Sequence, residues 1–412
     1  MRIRFVLSFL MLCAPLGCGR TLASDLALVG AKIYLSPLEQ PIEQGSILIR
    51  DGWINAVGPS STVKIPRGTL TIDCTGLTIT AGFWNSHIHL ILPGLLHAQK
   101  LSSEQLTSQL EEMLTRWGFT SVFDIASVLE NTNIIRRRIE SGEVRGPRIL
   151  TTGEPFWMRT PIYIGEFLDT NHIAMPEIKS KAQAAEQVRQ QIRDGVDGIK
   201  IFVSSIQQDD ILTMPLTVAQ TIVDEAHYAH KPVFAHVSND EGNEVAIQSG
   251  VDILAHTTPS GSLWNESFVE RLNAAHVALT PTLTLFDVEG KKGGTSPDVA
   301  EKWRNKAIQQ LKAFSQSGGQ VLFGTDVGYI DQFDTAEEFM SLSRAGVSFR
   351  QILASLTTNP AQRFGSSSHL GRIARDMDAD LTVLSADPAQ DSAAFSKVRY
   401  TIVGGRVIYS QR

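Results

Sequence analysis

The chain has 412 residues, of which 42% are hydrophobic and 19% are charged, and its formal net charge at pH 7 is -6. These proportions are typical of a globular protein. The acidic balance and the lack of a basic cluster argue against a nucleic-acid-binding surface. One hydrophobic core usually stops growing below this length, so the sequence predicts a large domain and a smaller one.

The first residues have the pattern of an export signal. Arg2 and Arg4 precede the apolar run Phe5–Leu12, which is too short to span a bilayer, and small residues follow as far as Ala23. We therefore predict a signal peptide over residues 1–23 and a secreted or periplasmic protein.

Cys18 offers an alternative processing site. It follows small residues, as in a lipoprotein signal, although Pro15 stands where leucine is usual. The protein would be associated with a membrane only if it were lipidated at this cysteine. With the signal removed after Ala23, Cys74 alone remains in the mature chain, so no intrachain disulfide is expected.

Short apolar runs separated by turn residues lie near both ends of the chain. Asp51 and Gly52 mark a hairpin near the start, and Ala379–Leu384 and Val398–Val403 have the same texture near the end. Strands at both ends predict one β-sandwich domain, with a second domain inserted between its halves. The predicted boundaries are residues 1–23 for the signal, 24–77 and 366–412 for the β-sandwich, and 78–365 for the inserted domain.

Apolar runs alternate with helical-period stretches such as Glu104–Trp117 and Ala300–Ser315 throughout the middle of the chain. Eight strands alternating with helices over about 250 residues predict an α/β fold, the TIM (β/α)8 barrel, whose chemistry lies at the carboxyl ends of the strands. The predicted strands are Ile79–Asn85, Thr120–Asp124, Arg148–Thr152, Gly198–Val203, Pro232–Ala235, Asp252–Ala255, Val277–Pro281 and Val321–Gly324.

Polar side chains able to bind metal end several of these strands. His87 and His89 are two apart, so on an extended segment both imidazoles point to one side and can share a metal. Taken alone, the pair is equally compatible with two hydrogen-bonded structural histidines. The residues at the other strand ends favour the metal site.

Lys200 lies between Ile199 and Ile201, which would face the surrounding helices, so its side chain is expected to face the barrel interior. Burial of an unpaired ammonium is costly, and the pKa of this lysine should therefore fall. The neutral amine could add carbon dioxide and become a carbamate that bridges two metals. The alternative is a lysine paired with an interior carboxylate.

His236 and His256 end consecutive strands, which a barrel brings side by side. Asp326 follows Gly324, a residue that leaves room for close approach. A carboxylate at this place can bind metal and move a proton. As a lone residue Asp326 could equally cap the next helix.

In this order the residues resemble those of the amidohydrolase superfamily, in its binuclear subgroup with a carboxylated lysine, and more narrowly its imidazolonepropionase-like and prolidase-like members. The segment from Ala81 to His89 resembles the first-strand motif, with Asn85 where aspartate is common. The segment from Gly324 to Asp326 resembles the eighth-strand motif. Ala255 stands where many relatives carry glutamate.

The resemblance implies two divalent metal ions, of which zinc suits these ligands well, although manganese and cobalt are also compatible with them. The implied ligands are His87, His89 and Asp326 for the first metal, His236 and His256 for the second, and carboxylated Lys200 as a bridge between both.

The implied reaction is hydrolysis of an amide C–N bond by a hydroxide that bridges the metals, with Asp326 passing its proton to the leaving nitrogen. Dipeptides or N-acyl amino acids are the expected substrates. A lactonase or phosphotriesterase-like hydrolase on the same metals is the alternative, followed by a secreted binding protein without catalytic activity.

The connection after the third strand is long enough to cover the site. We predict that Arg159, Tyr163 and His172 in this connection, and Tyr329 after Asp326, contact substrate. Arg159 and Tyr163 would bind a free carboxylate of the substrate. The alternative for the aromatic residues is ordinary loop packing, and the sequence leaves an oligomer possible.

Overall fold

The computed structural model describes residues 25–292 and 296–411. The predicted signal segment over residues 1–23, including Cys18, lies outside the described residues. Within the described part of the chain, no helix is both long enough and apolar enough to cross a membrane.

The amino-terminal part consists of short strands. They are β1 (Leu26–Ile33), β2 (Ile42–Arg50), β3 (Trp53–Pro59), β4 (Leu70–Asp73) and β5 (Thr78–Ala81). The hairpin predicted at Asp51 and Gly52 joins β2 to β3, and both residues have left-handed backbone angles, with φ of 50° and 85°. Glycine tolerates this conformation at no steric cost, and aspartate is among the few other residues that adopt it routinely.

The barrel strands follow, with one hairpin between them. They are β6 (Phe83–Ile88), β7 (Phe119–Asp124), β8 (Arg148–Thr151), β9 (Ile199–Phe202), the hairpin of β10 (Ser204–Ile206) and β11 (Ile211–Thr213), β12 (Val233–His236), β13 (Ile253–Leu254) and β14 (Ala278–Leu279).

Parallel pairing runs through β6, β7 and β8, and again through β9, β12, β13 and β14. Two seams join these groups. Phe156, just after β8, pairs with Ile201 in β9. Residues 321–327 form the eighth position, because Val321 pairs with Leu279 on one side and the nitrogen of Ser86 donates to the oxygen of Phe323 at 2.7 Å on the other.

Helices connect the strands and surround them. They are α1 (Ser103–Met113), α2 (Leu129–Glu140), α3 (Ile162–Thr170), α4 (Lys181–Arg193), α5 (Leu216–Tyr228), α6 (Asp240–Ser249), α7 (Glu266–Ala274), α8 (Leu283–Lys292), α9 (Pro297–Gln316), α10 (Ala336–Arg344), α11 (Phe349–Leu356) and α12 (Thr358–Arg363). Capping side chains explain where some of the helices begin. At α1 the side chain of Ser102 accepts from the nitrogen of Gln105, and at α6 the side chain of Asn239 accepts from the nitrogen of Gly242.

The last strands are β15 (Leu381–Leu384), β16 (Val398–Val403) and β17 (Arg406–Ser410). They join the amino-terminal strands in one eight-stranded sheet of order β17-β16-β15-β5-β1-β2-β3, with β4 also paired to β1. The two ends of the chain meet because β5 pairs antiparallel with β15 and parallel with β1.

The structure corrects the first predicted strand. Ile79–Asn85 is not one barrel strand, because Thr78–Ala81 belongs to the small domain and Phe83–Ile88 to the barrel. The change of sheet occurs at Gly82, where a Cβ atom would lie 2.1 Å from Oγ1 of Thr120. The boundary between the domains therefore lies a few residues after the predicted position 78.

Apolar side chains from different strands form a cluster at the centre of the barrel. Phe123, Phe234, Ile253, Ala278 and Leu322 belong to it and are fully buried. Three of the predicted metal ligands, His236, His256 and Asp326, come soon after Phe234, Ile253 and Leu322 on the same strands. The core thus supports the floor of a site at one end of the barrel.

Candidate active site

The six predicted metal ligands lie in or just after the barrel strands. His87 is within β6, Lys200 within β9 and His236 at the end of β12. His89 and His256 come just after β6 and β13, and Asp326 lies in the eighth strand position. All are buried except His236, which is half-buried. The exposed fractions are 0% for His87, 8% for His89, 1% for Lys200, 6% for His256 and 2% for Asp326.

Asp326 is at the focus of the imidazoles. Its Oδ1 atom lies 2.7 Å from Nε2 of His89 and 3.1 Å from Nε2 of His87. The ring of His87 lies 4.6 Å from that of His256, which in turn lies 5.0 Å from the ring of His236, measured between centroids. The structure therefore brings the predicted histidines and the carboxylate into one cluster.

The backbone around Asp326 has little freedom. This residue has a left-handed φ of 63°, and its nitrogen donates to the oxygen of His87 at 2.9 Å. Two residues later, a Cβ atom on Gly328 would lie 1.8 Å from the backbone oxygen of His89. Only glycine fits at this position. The two segments are joined by the nitrogen of His89, which donates to the oxygen of Val327 at 2.8 Å.

Each histidine has an outer partner for one ring nitrogen. Such partners orient a ligand ring and select which nitrogen remains for the metal. The contacts are Nδ1 of His87 with Oγ1 of Thr280 at 3.5 Å, Nδ1 of His89 with the oxygen of Ala126 at 3.2 Å, Nε2 of His236 with Oη of Tyr163 and Oγ of Ser238 at 3.1 Å each, and Nδ1 of His256 with Oγ1 of Thr282 at 2.7 Å.

The cluster fits a divalent cation. Nε2 of His87 is buried and, within residues 25–292 and 296–411, lacks a hydrogen bond of acceptable angle. The ligand atoms of His87, His256 and Asp326 all lie within 4.8 Å of one another. A metal ion would use the orphaned nitrogen, and imidazole nitrogen with carboxylate oxygen is a common zinc donor set.

The protonation states also suit a metal. Burial lowers the pKa of His87 to about 4, and burial holds the pKa of His236 and of His256 well below the usual value. Burial opposes ionisation of Asp326, yet the charges and hydrogen bonds of His87 and His89 together outweigh it and hold the pKa of that carboxyl well below its ordinary range. Neutral imidazoles and an ionised carboxylate are the forms that bind metal.

Lys200 is the remaining one of the six predicted metal ligands. Its ammonium lies 5.4 Å from the ring centre of Phe202, and burial lowers the pKa of Lys200 to about 7. The neutral amine is therefore accessible near neutral pH, as the sequence predicted.

A cavity of about 570 Å³ lies over the cluster. Its walls are largely aromatic and aliphatic. Its floor includes five of the six predicted ligands, namely His89, Lys200, His236, His256 and Asp326. The large wall residues include Trp157, Tyr163, Phe167, Phe286, Trp303 and Tyr329.

The structure brings only some of the predicted substrate residues to this cavity. Tyr163 and Tyr329 line it, whereas Arg159 is exposed and His172 lines a separate cavity of about 310 Å³. The predicted carboxylate contact by Arg159 is therefore not supported. The reason is local: Arg159 precedes α3, and it is the apolar residues of that helix, such as Phe167, that face the cavity.

Sequence reasoning missed the residues that hold the ligands. Asp124 is fully buried at the end of β7 and accepts hydrogen bonds from the nitrogen of Leu90 at 3.0 Å and from Thr132 at 2.8 Å. It thereby fixes the backbone next to His89. The position of Asp124 at a strand end could have indicated this role. Thr282, the partner of His256, has no such feature in the sequence.

Comparison with known proteins identifies the family. Residues 78–408 match the amidohydrolase family model, and the chain belongs to this family. The resemblance to the amidohydrolase superfamily, drawn from the strand-end motifs, is therefore confirmed. Members of the amidohydrolase family are generally metal-dependent hydrolases, and the cluster of predicted metal ligands agrees with this.

Individual relatives are similar along most of their length. Ochratoxinase from Aspergillus niger is 22% identical, over 95% of this chain and 88% of the relative. Imidazolonepropionase from Thermoplasma acidophilum is 24% identical, over 96% of this chain and 94% of the relative. A crystal structure of a Xaa-Pro dipeptidase with bound methionine has a TM-score of 0.79 at 21% identity, covering 94% of this chain and 100% of that one. At this identity the structural likeness supports the shared fold, a TIM barrel with a small second domain.

Proposed function

We propose that the protein hydrolyses amide C–N bonds of small molecules that carry a bulky apolar group, with dipeptides and N-acyl amino acids as the first candidates. One observation carries the proposal: the carboxylate of Asp326, 2.7 Å from His89, lies at the floor of an apolar cavity of about 570 Å³. The similarity to a Xaa-Pro dipeptidase supports the choice of dipeptides.

The proposed metal assignment is the one that the family resemblance implies. His87, His89 and Asp326 would hold one divalent ion, His236 and His256 a second, and carboxylated Lys200 would bridge them. When bound, such ions polarise a carbonyl group and lower the pKa of a water molecule, so that attack is possible at neutral pH. Zinc is the proposed metal by ligand type.

Asp326 is the residue that moves the proton. Its low pKa keeps the carboxylate ionised and able to accept a proton, and its fixed backbone keeps Oδ1 at the ligand cluster. An amine must be protonated as it leaves, whereas an activated alkoxide depends less on such help. A positioned proton carrier therefore favours amide hydrolysis over lactone or phosphotriester hydrolysis.

The cavity wall supports the preference for an apolar group. Trp157 and Phe286 line it from opposite parts of the chain, and Leu168 and Leu285 add aliphatic surface. Burial of one aromatic or aliphatic substituent against such a wall is worth about 1.5–3 kcal/mol.

The proposal is tested by turnover of metal-loaded protein on matched substrates. The panel compares N-benzoyl and N-acetyl amides, aromatic and glycine dipeptides, a lactone and a phosphotriester. We expect hydrolysis of the amides, with a higher kcat/KM for the aromatic members. Faster turnover of the lactone or the phosphotriester would support the alternative hydrolase class, and no turnover by metal-loaded protein would support a binding protein.

We also propose that residues 1–23 direct export, on the pattern of the sequence alone. The mature protein should begin at Ser24, or at a lipid-modified Cys18 if the alternative holds. Mass spectrometry of protein from the envelope fraction distinguishes these two forms. An intact Met1 on cytoplasmic material would contradict both.

A further inference from the structure

One fully buried acid lies outside the reaction described above. Glu338, in α10, is 1% exposed. Its Oε1 atom accepts the backbone nitrogen of Leu283 at 2.9 Å, and its Oε2 atom accepts the nitrogen and the hydroxyl of Thr284 at 2.7 Å each. All three donors belong to the first two residues of α8.

This arrangement is a helix cap supplied from a distant part of the chain. The first nitrogen atoms of a helix have no partner within the helix, and a carboxylate is favourable there because of the helix dipole. Glu338 is separated from Leu283 by 55 positions, so the contact ties the start of α8 to α10. Burial of a carboxylate is costly, which argues that the contact serves more than a local turn.

The start of α8 carries two features of the active site. Thr282 immediately precedes Leu283, has a left-handed φ of 45°, and contacts Nδ1 of His256 at 2.7 Å. The nitrogen of Leu283 belongs to the peptide group of Thr282, so the bond to Glu338 fixes the orientation of that residue.

The first turn of the helix also contributes to the cavity. Leu285 and Phe286 both line it. Displacement of the α8 terminus would therefore move His256 and one cavity wall together.

We propose that Glu338 is a positioning residue that acts through α8 on both His256 and the cavity wall, and so sets the metal affinity of the cluster and the preference for bulky substrates. The substrate part rests on the proposed function. The metal part does not, because metal affinity can be measured without any substrate.

Glu338→Gln is the principal test, since it keeps the size of the side chain but loses one acceptor. Thr284→Val removes one donor and leaves the carboxylate in place. Glu337→Gln is the matched control, because it alters the adjacent acid of α10, which pairs with Arg344 at the surface. Zinc is titrated against a chelator, and thermal unfolding of metal-free protein checks the fold of each variant.

We expect Glu338→Gln to weaken zinc binding about 10- to 100-fold, the usual range for residues that orient metal ligands. Thr284→Val should change affinity in the same direction by less, and Glu337→Gln should leave it unchanged. KM should rise more for N-benzoyl than for N-acetyl substrates in the first two variants, because the α8 wall contacts the bulky group.

A folded Glu338→Gln variant with unchanged zinc affinity and an unchanged ratio of the two KM values would overturn the proposal. If that variant does not fold, the zinc affinity of Thr284→Val decides in its place. If the wild-type protein binds zinc but hydrolyses no amide, the proposed function fails, while the zinc titrations still test Glu338.

Discussion

The hydroxyl of Tyr163 lies 3.1 Å from Nε2 of His236, and this contact joins the connection after β8 to the ligand cluster. A second contact reaches the same imidazole, because the ring of Phe202 stacks on His236 at 4.6 Å and packs against Trp157. The connection that was predicted to bind substrate therefore contacts one of the predicted metal ligands.

Tyr163→Phe should weaken metal binding while the protein remains folded. The substitution keeps the ring but removes one outer partner of His236, which retains Ser238 at 3.1 Å. We expect about a tenfold loss of zinc affinity, the lower end for such partners. Chelator competition measures it, and Tyr228→Phe is the control, because Tyr228 is 90% exposed. Equal affinities of the two variants would contradict the role of Tyr163.

Lys200→Ala should remove most bound metal and activity and leave the barrel folded. A buried lysine with a pKa lowered to about 7 contributes little to stability as a cation, so its loss should not unfold the protein. Metal content and circular dichroism test this, with the exposed Lys312→Ala as control. Short carboxylic acids are expected to restore part of the metal binding. Retention of two metals and near-normal rates by Lys200→Ala would refute the bridging role.

Gly328→Ala and Gly346→Ala form a matched pair. Both glycines have left-handed φ angles, 103° and 79°, so both substitutions incur backbone strain of about 1–2 kcal/mol. At Gly328 the new Cβ would also overlap the oxygen of His89, while at Gly346 no atom of residues 25–292 and 296–411, apart from the chain neighbours, lies within 4 Å of it. We expect Gly328→Ala to unfold at a clearly lower temperature and to lose metal. Similar behaviour of the two variants would show that strain alone matters.

Arg148→Met should destabilise the junction of the two domains. The guanidinium donates to Asp380 at 2.7 Å and to Asp378 at 2.8 Å, and both carboxylates are largely buried. Loss of these charged hydrogen bonds should lower the free energy of unfolding by about 2 kcal/mol. Arg189→Met removes a more exposed pair with Glu225 and should cost less than about 0.5 kcal/mol. Urea denaturation measures both changes, and equal values would argue against a structural role for Arg148.

The stability contributed by Glu338 should depend on pH. Burial, with a smaller effect of Asp287, raises the pKa of this carboxyl from 4.5 to about 7. Because the folded pKa is the higher one, the folded protein holds a proton that the unfolded chain releases. The resulting stabilisation is complete below about pH 4.5 and is lost as the pH rises through 7.

The experiment compares the free energy of unfolding of metal-free wild type and Glu338→Gln. Between pH 5 and 8 the wild type should lose on the order of 3 kcal/mol relative to the variant, since one pKa unit corresponds to about 1.4 kcal/mol. Other titrating groups are common to both proteins and cancel in the difference. A difference that does not change with pH would show that the pKa of Glu338 is not raised.

Local patterns in the sequence predicted much of the barrel. The helical-period stretch Glu104–Trp117 contains most of α1, Ser103–Met113, because helix formation there follows from the apolar spacing and from Ser102, whose side chain accepts from the nitrogen of Gln105. The boundary in Ile79–Asn85 could not be predicted in this way. Both halves of that segment are apolar, and they are distinguished by their backbone partners: the nitrogen of Gly82 donates to the oxygen of Asp380 at 2.8 Å, and that of Phe83 to the oxygen of Gly118 at 3.3 Å.

The candidate ligands were predictable because a barrel places the carboxyl ends of all its strands at one face. His87, Lys200 and Asp326 could therefore be predicted from their positions relative to the strands. The residues that hold them in place were decided by tertiary packing. Thr282 contacts His256 across 26 positions, and Tyr163 contacts His236 across 73. The same applies to Arg159, whose charge suggested a substrate contact until the packing of α3 left it exposed. Strand and helix periodicity is set by neighbouring residues, whereas these contacts depend on how separate connections pack over the end of the barrel.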